Sequence, residues 1–351
     1  MRKLLSHHHH NVLSSSSSFL LPPSPSPSPS QFPIVPDYTT HEIFFFSSIP
    51  IAKSGFDLAT LATIAALLLL SLISFSVVIY TRLRSRRLRH LENFNSLWTV
   101  RLLLVTITSI WAVNEILRLP LVRRKYLYPF LPTLNLHQQS NICKIHVVLS
   151  LGFLEPSFLV TLLFLVNVSI KKSNPSRMWA LVSLLAVCAP VTLLQLFFVY
   201  SSPLEGRLPR FMHGSSVAGS DYFGSRTALC TYPFFSSVVF GGFAAAYAVA
   251  FLCSCWRVMD LVINKGIRNR IYLLAAAVMV ALSVQIACLS LSWLWMPEEA
   301  AYGYVVLAMF LFVAGSMAVG EVILVIKPIA EALSAAAELQ RRPAEERTTS
   351  L

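Results

Sequence analysis

A carboxylate stands beside a proline within an apolar run, in the stretch FLEPSFLV at residues 153–160. Glu155 could bind and release a proton or accept hydrogen bonds, and an apolar environment makes either state costly unless the carboxyl has partners. Pro156 has no backbone N–H, so a carbonyl one turn earlier needs another donor. We therefore expect Glu155 to face other protein groups, with any ligand pocket just above it, toward the start of its helix.

Four further polar residues interrupt apolar stretches and could accompany Glu155. Gln285 and Asn114 are the expected polar company of Glu155, from their positions along their helices, and neither needs to contact it directly. Glu115 and Arg118, in VNEILRLP, are three residues apart, so they share one helix face and can form an ion pair. Together these residues are either a candidate intramembrane polar site or groups that fix helix register, and we favour the structural role.

The composition indicates where these residues must lie. Of the 351 residues, 55% are hydrophobic and only 13% are charged, which is typical of an integral membrane protein. About 20 helical residues cross a hydrocarbon core roughly 30 Å thick. The predicted class is therefore all-α, a polytopic membrane protein with a seven-transmembrane helix bundle. The predicted spans are 58–80, 97–119, 144–170, 178–200, 232–258, 271–296 and 302–326.

Basic residues predict the orientation of the bundle. Lysines and arginines concentrate after spans one, three, five and seven, most densely in TRLRSRRLRH at residues 81–90, although RRK at residues 123–125 opposes this bias. The positive-inside rule then places the amino terminus outside or in a lumen and the carboxyl terminus in the cytoplasm. The formal charge of +12 indicates contact with the headgroups of a lipid bilayer rather than with nucleic acid. Plasma membrane and endomembrane both remain open.

Three regions divide the chain. Residues 1–54 are predicted to be a disordered Ser/Pro-rich tail, and residues 55–327 form the helix bundle. Residues 328–351 are predicted to form a cytosolic juxtamembrane helix and a short tail. The serine-rich, basic start also suits an organellar transit peptide, which stays an alternative. The run His7–His10 is interpreted as low complexity, so we expect no metal site there.

Two features lie at the predicted cytosolic ends of the helices. Arg101 and Glu321 stand at matching depth near the inner ends of spans two and seven, which predicts a lock between these helices. Cys253 and Cys255, in FLCSCWR, lie beside an arginine at the inner end of span five. This placement predicts S-acylation of one of them, with simple helix packing as the alternative.

Two cysteines fall on the predicted outer side. Cys143 begins span three, and Cys230 ends the long loop that enters span five. In an oxidising compartment they can pair and fasten this loop over the bundle. The alternative is two unrelated free thiols.

This layout resembles that of G-protein-coupled receptors: seven spans, an outer amino terminus, and a cysteine pair linking span three to the loop before span five. KPIAEALSAAAELQRR at residues 327–342 is similar to the juxtamembrane helix of those receptors. The sequence departs from the receptor motifs, with NVSIKK at the end of span three and GEVILVIKP in span seven. Coupling to a G protein is therefore left open.

Several stretches resemble a plant-specific group of seven-span proteins of unassigned activity, some of them candidate receptors. The stretches are RHLENFNSLWTVR (89–101), NEILRLP (114–120), YPFLP (128–132) and GFLEPSFLVTLLFLVNVSIKK (152–172). The resemblance implies a receptor-like integral membrane protein with a signalling role. Its ligand would be an unknown small molecule or protein partner.

Other classes of function are less favoured by the residues. The sequence has no HExxH motif, no Gly-rich phosphate loop and no histidine set within the helices, so we expect no catalysis, no cofactor and no metal. Gly241–Gly242 is interpreted as a point of close helix packing. A transporter or channel, or a membrane scaffold, is the alternative to a receptor. An open pocket, a continuous path or a solid interior would discriminate among the three.

Overall fold

The computed structural model describes residues 39–85, 97–119, 135–170, 177–200, 214–220, 226–297 and 299–335. The chain divides into two compact units, Met1–Ile43 and Phe44–Leu351, and every side chain discussed below belongs to the second. The predicted tail at residues 1–54 and the segment after residue 335 lie largely outside the described residues. Of residues 39–54, the structure gives only a backbone helix.

Seven of the described helices are long and apolar enough to cross a membrane, and each overlaps one predicted span. The all-α, seven-helix class is therefore confirmed, and the composition of the helices indicates an integral, multi-pass membrane protein. The spans are Gly55–Leu83, Trp98–Ile116, Leu136–Val168, Met178–Tyr200, Phe234–Leu261, Lys265–Leu291 and Ala300–Ala335.

Some helices extend beyond these spans or contain irregular turns. The first runs from Thr39 to Ser85, and the fourth begins at Arg177. The third consists of Leu136–Val147, a π-helical segment Val148–Leu154, and Glu155–Ile170. The seventh consists of Ala300–Glu321, a π-helical segment Val322–Ile326, and a continuation to residue 335.

Because of polar capping residues, two helices begin earlier in the sequence than their apolar composition predicts. The third span begins at Leu136 and not at residue 144, because Asn135 and Gln138 form a capping box in which the Asn135 N–H donates to Gln138 Oε1 at 3.2 Å. The sixth begins at Lys265 and not at residue 271, because the Gly266 N–H donates to the Asn264 side chain at 2.9 Å.

The seventh helix does not end at the predicted boundary, residue 327. It continues to residue 335, with Ile329 only 2% exposed and Leu333 packed against the core. An ion pair between Arg270 and Glu331 ties this continuation to the start of the sixth span. The first part of the predicted juxtamembrane helix therefore continues the seventh span.

The third span is the central helix of the bundle. In its most apolar window 72% of residues are buried, against 28% in the first and fourth spans. Residues such as Leu193 and Phe197 of the fourth span are exposed, as expected for side chains that contact lipid.

A short β-hairpin covers the first half of the third span. Strands β1 (Ser216–Ser220) and β2 (Arg226–Cys230) pair antiparallel. The structure joins Cys143 and Cys230 by a disulfide, and the Ala228 N–H donates to Gln139 Oε1 at 3.1 Å. The hairpin, which the sequence did not predict, is therefore anchored to the central helix by a covalent bond and by hydrogen bonding.

Candidate functional site

Glu155 is the centre of a buried polar cluster just past the middle of the third span. Its Oε1 accepts hydrogen bonds from Trp111 Nε1 at 3.2 Å and from Ser150 Oγ at 2.9 Å. Its Oε2 accepts a hydrogen bond from Gln285 Nε2. Glu155 is only 6% exposed, so its carboxyl faces protein groups and not lipid. One side chain thus links the second, third and sixth spans.

The π-helical turn explains why Ser150 reaches Glu155. In a π-helix the backbone bonds run from residue i to residue i+5, so residues five apart come onto one face. The Glu155 N–H bonds to the Ser150 carbonyl in this way, and the two side chains lie on the same side of the helix. In a regular α-helix, neighbours on one face are three or four residues apart.

The fourth span provides the donor that Pro156 requires. The Gly152 carbonyl, four residues before Pro156, lies 2.9 Å from Thr192 Oγ1, whose single proton can be donated to this carbonyl or to that of Cys188 at 2.8 Å. A Cβ added at Gly152 would lie 3.2 Å from Cβ of Gln195 and 3.4 Å from Cα of Thr192. Glycine therefore lets the third and fourth spans approach closely enough for this hydrogen bond.

A charged cluster lies beyond Ser150, at the end of the second span. Arg118 Nε is 3.5 Å from Glu115 Oε2, the pair that the i,i+3 spacing predicts. His146 Nε2 lies 3.8 Å from Glu115 Oε1. His146 Nδ1 lies 3.1 Å from the Asn114 carbonyl, which can only accept, so Nδ1 carries the proton.

Asn114, which was expected near Glu155 without the need for a direct contact, has its own partner on the third span. The Asn114 Nδ2 amide donates to the His146 carbonyl at 3.4 Å. Asn114 directly precedes Glu115 on the helix, and adjacent residues do not share a face. Asn114 therefore fastens the second span to the start of the third span, whereas Glu115 points toward Ser150.

Arg118 and Tyr232, at the charged cluster, lie beyond the ends of the spans and have shifted pKa values. Burial alone would lower the pKa of Arg118, but electrostatic attraction to neighbouring groups, Glu115 among them, outweighs burial, and its pKa is raised. Burial raises the pKa of Tyr232, so its phenol remains neutral. The cluster consequently holds one permanent positive charge.

Glu321 forms a second buried polar centre, in the seventh span. Its Oε1 accepts from Ser71 Oγ at 2.8 Å, and its Oε2 accepts from Ser74 Oγ at 3.1 Å. Ser71 and Ser74 belong to the first span, and Thr108 of the second span is also within hydrogen-bonding reach, so hydroxyl groups hold Glu321 in place of the predicted lock with Arg101. Arg101 is 8% exposed, and among the described residues no ion pair joins it to Glu321.

A void of about 10 Å³ lies beside Glu155, which is about the size that one water molecule needs. It lies toward the carboxyl end of the third span, whereas the sequence predicted a pocket on the opposite side of Glu155. On that side Trp111, Leu151 and Leu154 are no more than 1% exposed and fill the interior. The lining residues are Glu155, Phe158, Leu159, Val278, Ala281, Leu282, Gln285, Val313, Ser316 and Met317.

Two further predictions concern residues of the fifth span. Cys253 is exposed, whereas Cys255 is 1% exposed, so Cys253 is the cysteine that an acyl chain could reach. Its acylation stays a prediction. Among the described residues, no atom lies within 4 Å of a Cβ added at Gly241 or Gly242, so these glycines are not points of close packing within this part of the chain. Gly152 and Gly320 have that role instead.

The seven apolar helices around buried polar centres define the chain as an integral membrane protein. A family model described as "Uncharacterised conserved protein UCP031277" matches residues 48–341, more than four-fifths of the chain. The chain belongs to this family. Comparisons with curated proteins and with solved structures find no match. The family description specifies no activity, so the geometry of the site must carry the functional argument.

Proposed function

We propose that this chain is a receptor-like, non-catalytic membrane protein with a signalling role, and that the cluster around Glu155 holds its helices in a closed arrangement. The main supporting observation is that one carboxyl links three spans beside a void of about 10 Å³. A change in its hydrogen bonding would therefore release contacts between three helices at once. Such a shared contact is suited to switching between two packings of a bundle.

The hairpin side is where a ligand would act in this proposal. A small molecule or protein partner that displaced the hairpin would move the third span, because the disulfide joins Cys230 to Cys143. From there Glu115 and Ser150 lead to Glu155 through contacts of 3.3 Å and 2.9 Å. These contacts lead along the third span toward the middle of the bundle.

The proposed orientation places the hairpin outside the cell or in a lumen, and the end of the seventh helix in the cytosol. It rests on the arginines that follow the first span. Epitope tags at the two termini of the membrane-inserted chain test it by protease protection. We expect digestion of the amino-terminal tag and protection of the carboxyl-terminal tag. The opposite pattern would reverse the topology.

Transport is the second candidate, because the third span is interrupted. Its π-helical segment Val148–Leu154 and Pro156 lie next to a buried carboxyl, as in the broken helices of many transporters. A transporter must open its interior to each side of the membrane in turn. A receptor-like protein needs only a change in packing.

Thiol accessibility separates these two functions. The free cysteines at 188, 253, 255 and 288 are first replaced, with the Cys143–Cys230 disulfide retained. Ser316→Cys then places a thiol at the void, and proteoliposomes are treated with an impermeant thiol reagent from either face. We expect protection from both faces. Labelling from both faces would support transport and contradict a receptor-like role.

A distance measurement separates a receptor-like switch from a rigid scaffold. In the same cysteine-depleted background, spin labels are attached at Asn167→Cys and Ile267→Cys, two exposed positions near the ends of spans three and six. Adding Glu155→Gln should populate a second distance between the labels, whereas Glu321→Gln, the matched control, should not. An unchanged single distance in the Glu155→Gln protein would indicate a scaffold.

A further inference from the structure

Ser150 lies between two buried carboxyls. Its Oγ is 2.9 Å from Glu155 Oε1 and 3.3 Å from Glu115 Oε1. A serine hydroxyl has one proton and can donate it to only one oxygen at a time. For both contacts to be hydrogen bonds, one carboxyl must itself carry a proton and donate it to Ser150 Oγ. All three residues are at most 6% exposed, so missing hydrogen bonds would be costly.

We propose that Glu115, Ser150 and Glu155 form a proton-binding site that holds one proton between the two carboxyls. The ligand is a proton, and Ser150 is the group through which it is shared. This inference goes beyond the receptor-like function and does not depend on it, since a transporter or a scaffold could contain the same site.

In the first arrangement, Glu155 carries the proton. Its O–H donates to Ser150 Oγ, and the Ser150 hydroxyl donates to the Glu115 carboxylate. Arg118, at 3.5 Å, compensates the charge on Glu115. Each donor from Glu155 to Glu115 then has one acceptor, and the positive charge of Arg118 balances the negative charge of Glu115.

In the second arrangement, the proton has moved to Glu115. Glu155 passes its proton to Ser150 Oγ while Ser150 passes its hydroxyl proton to Glu115, so one O–H bond forms for each that breaks. The Glu155 carboxylate then accepts from Ser150, Trp111 and Gln285. These three donors stabilise the negative charge that has moved to the centre of the bundle.

Loss of the proton leaves two carboxylates that compete for one hydroxyl donor. Repulsion between them in a buried setting opposes this state. His146 Nε2, 3.8 Å from Glu115, is the neighbouring nitrogen that can take up a proton. The other titratable or charged groups that face this cluster are Arg118, Tyr232, Tyr302 and Asp57.

Infrared spectroscopy of the full-length protein in lipid nanodiscs tests the site. A protonated carboxyl gives a C=O band that moves in D₂O. We expect the Glu155→Gln variant to lose one such band of the parent at neutral pH. Ser150→Ala should shift that band to higher frequency, because the carboxyl O–H has lost its acceptor. Glu115→Gln should also shift it, and this variant serves if the Ser150→Ala protein does not fold.

The matched controls use groups away from the proposed site. Glu321→Gln alters the other buried carboxyl. Ser157→Ala removes a hydroxyl of the third span that contacts Cys188 of the fourth span. Neither control should change the band assigned to Glu155. An unchanged spectrum in Glu155→Gln would overturn the proposal. Loss of the band in Glu155→Gln, with no shift in Ser150→Ala or Glu115→Gln, would also overturn it, since Glu155 would then bind its proton alone.

Discussion

Glu155 and Glu321 are both buried glutamates in apolar helices, yet their partners differ in kind. Glu155 accepts from a tryptophan, a serine and a glutamine on three spans. Glu321 accepts from the hydroxyls of Ser71 and Ser74 on the first span, and the hydroxyl of Thr108 on the second span is also within hydrogen-bonding reach. The two carboxyls therefore differ in the kind of donor that surrounds them: an indole, an amide and a hydroxyl for Glu155, and hydroxyls for Glu321.

The donors also differ in what they can do without the carboxyl. A serine in a helix can turn to the carbonyl four residues earlier, as Ser76 does to Leu72 at 2.8 Å. The indole N–H of Trp111 has no such local acceptor, because its ring extends away from its own backbone. The cost of removing a buried carboxyl thus depends on the alternatives that its donors have.

The largest effect is expected from Glu155→Leu. It leaves the Trp111 N–H and the Gln285 amide without their acceptor, so we expect the free energy of unfolding to fall by roughly 2–4 kcal/mol. Unfolding in mixed micelles measures this loss. Glu155→Gln keeps the shape and an acceptor and should retain most of the stability. A Leu variant as stable as the parent would show that the cluster does not hold the bundle together.

Gly152→Ala should have the next largest effect. The new methyl would lie 3.2 Å from Cβ and Cγ of Gln195, and this Cβ cannot move without its backbone, so we expect a loss of about 1–2 kcal/mol. Gly320→Ala is the counterpart beside Glu321. Its methyl would meet only the ends of Phe158 and Leu162 side chains, which can shift. Thermal unfolding of both variants, with Gly241→Ala as the control, should rank Gly152→Ala as the most damaging.

Glu321→Leu should cost less than Glu155→Leu, on the order of 1 kcal/mol. Ser71 and Ser74 can replace the lost acceptor with carbonyls of their own helix. The same micelle unfolding assay applies. A loss equal to that of Glu155→Leu would remove the contrast between the two centres.

Ser74→Ala should have the smallest effect, about 0.5 kcal/mol or less. The Glu321 carboxyl keeps its 2.8 Å contact with Ser71 and loses only the 3.1 Å contact. Ser150→Ala, measured in parallel, should cost more because Ser150 contacts two carboxyls. Equal costs for the two serines would contradict a special role of Ser150 in stability.

Composition was sufficient to predict the seven helices, because each must be apolar over the thickness of a bilayer. Polarity also identified Gln285 as a partner of Glu155. Ser150 was missed because an α-helical spacing does not place residues five apart on one face, and a π-helical turn is not visible in the residue pattern. Trp111 could have been found from the sequence. It lies four residues before Glu115, so the two side chains share one face of the second span, and a buried indole N–H needs an acceptor.

The lock between Arg101 and Glu321 failed for a different reason. Matching depth along two helices does not fix their rotation, and rotation decides which neighbour a side chain faces. Ser71 and Ser74 are small residues of a kind that is common in apolar helices, so their type alone does not single them out. Their spacing of three does place them on one face, which is the signal that could have pointed to Glu321.

The length of the seventh helix has a mechanical consequence. Its 36 residues extend about 54 Å at 1.5 Å per residue, whereas a hydrocarbon core is only about 30 Å thick. The surplus forms a stiff arm that the Arg270–Glu331 pair braces against the sixth helix. A small tilt of this helix within the bilayer would be magnified into a larger sideways displacement at the tip of the arm.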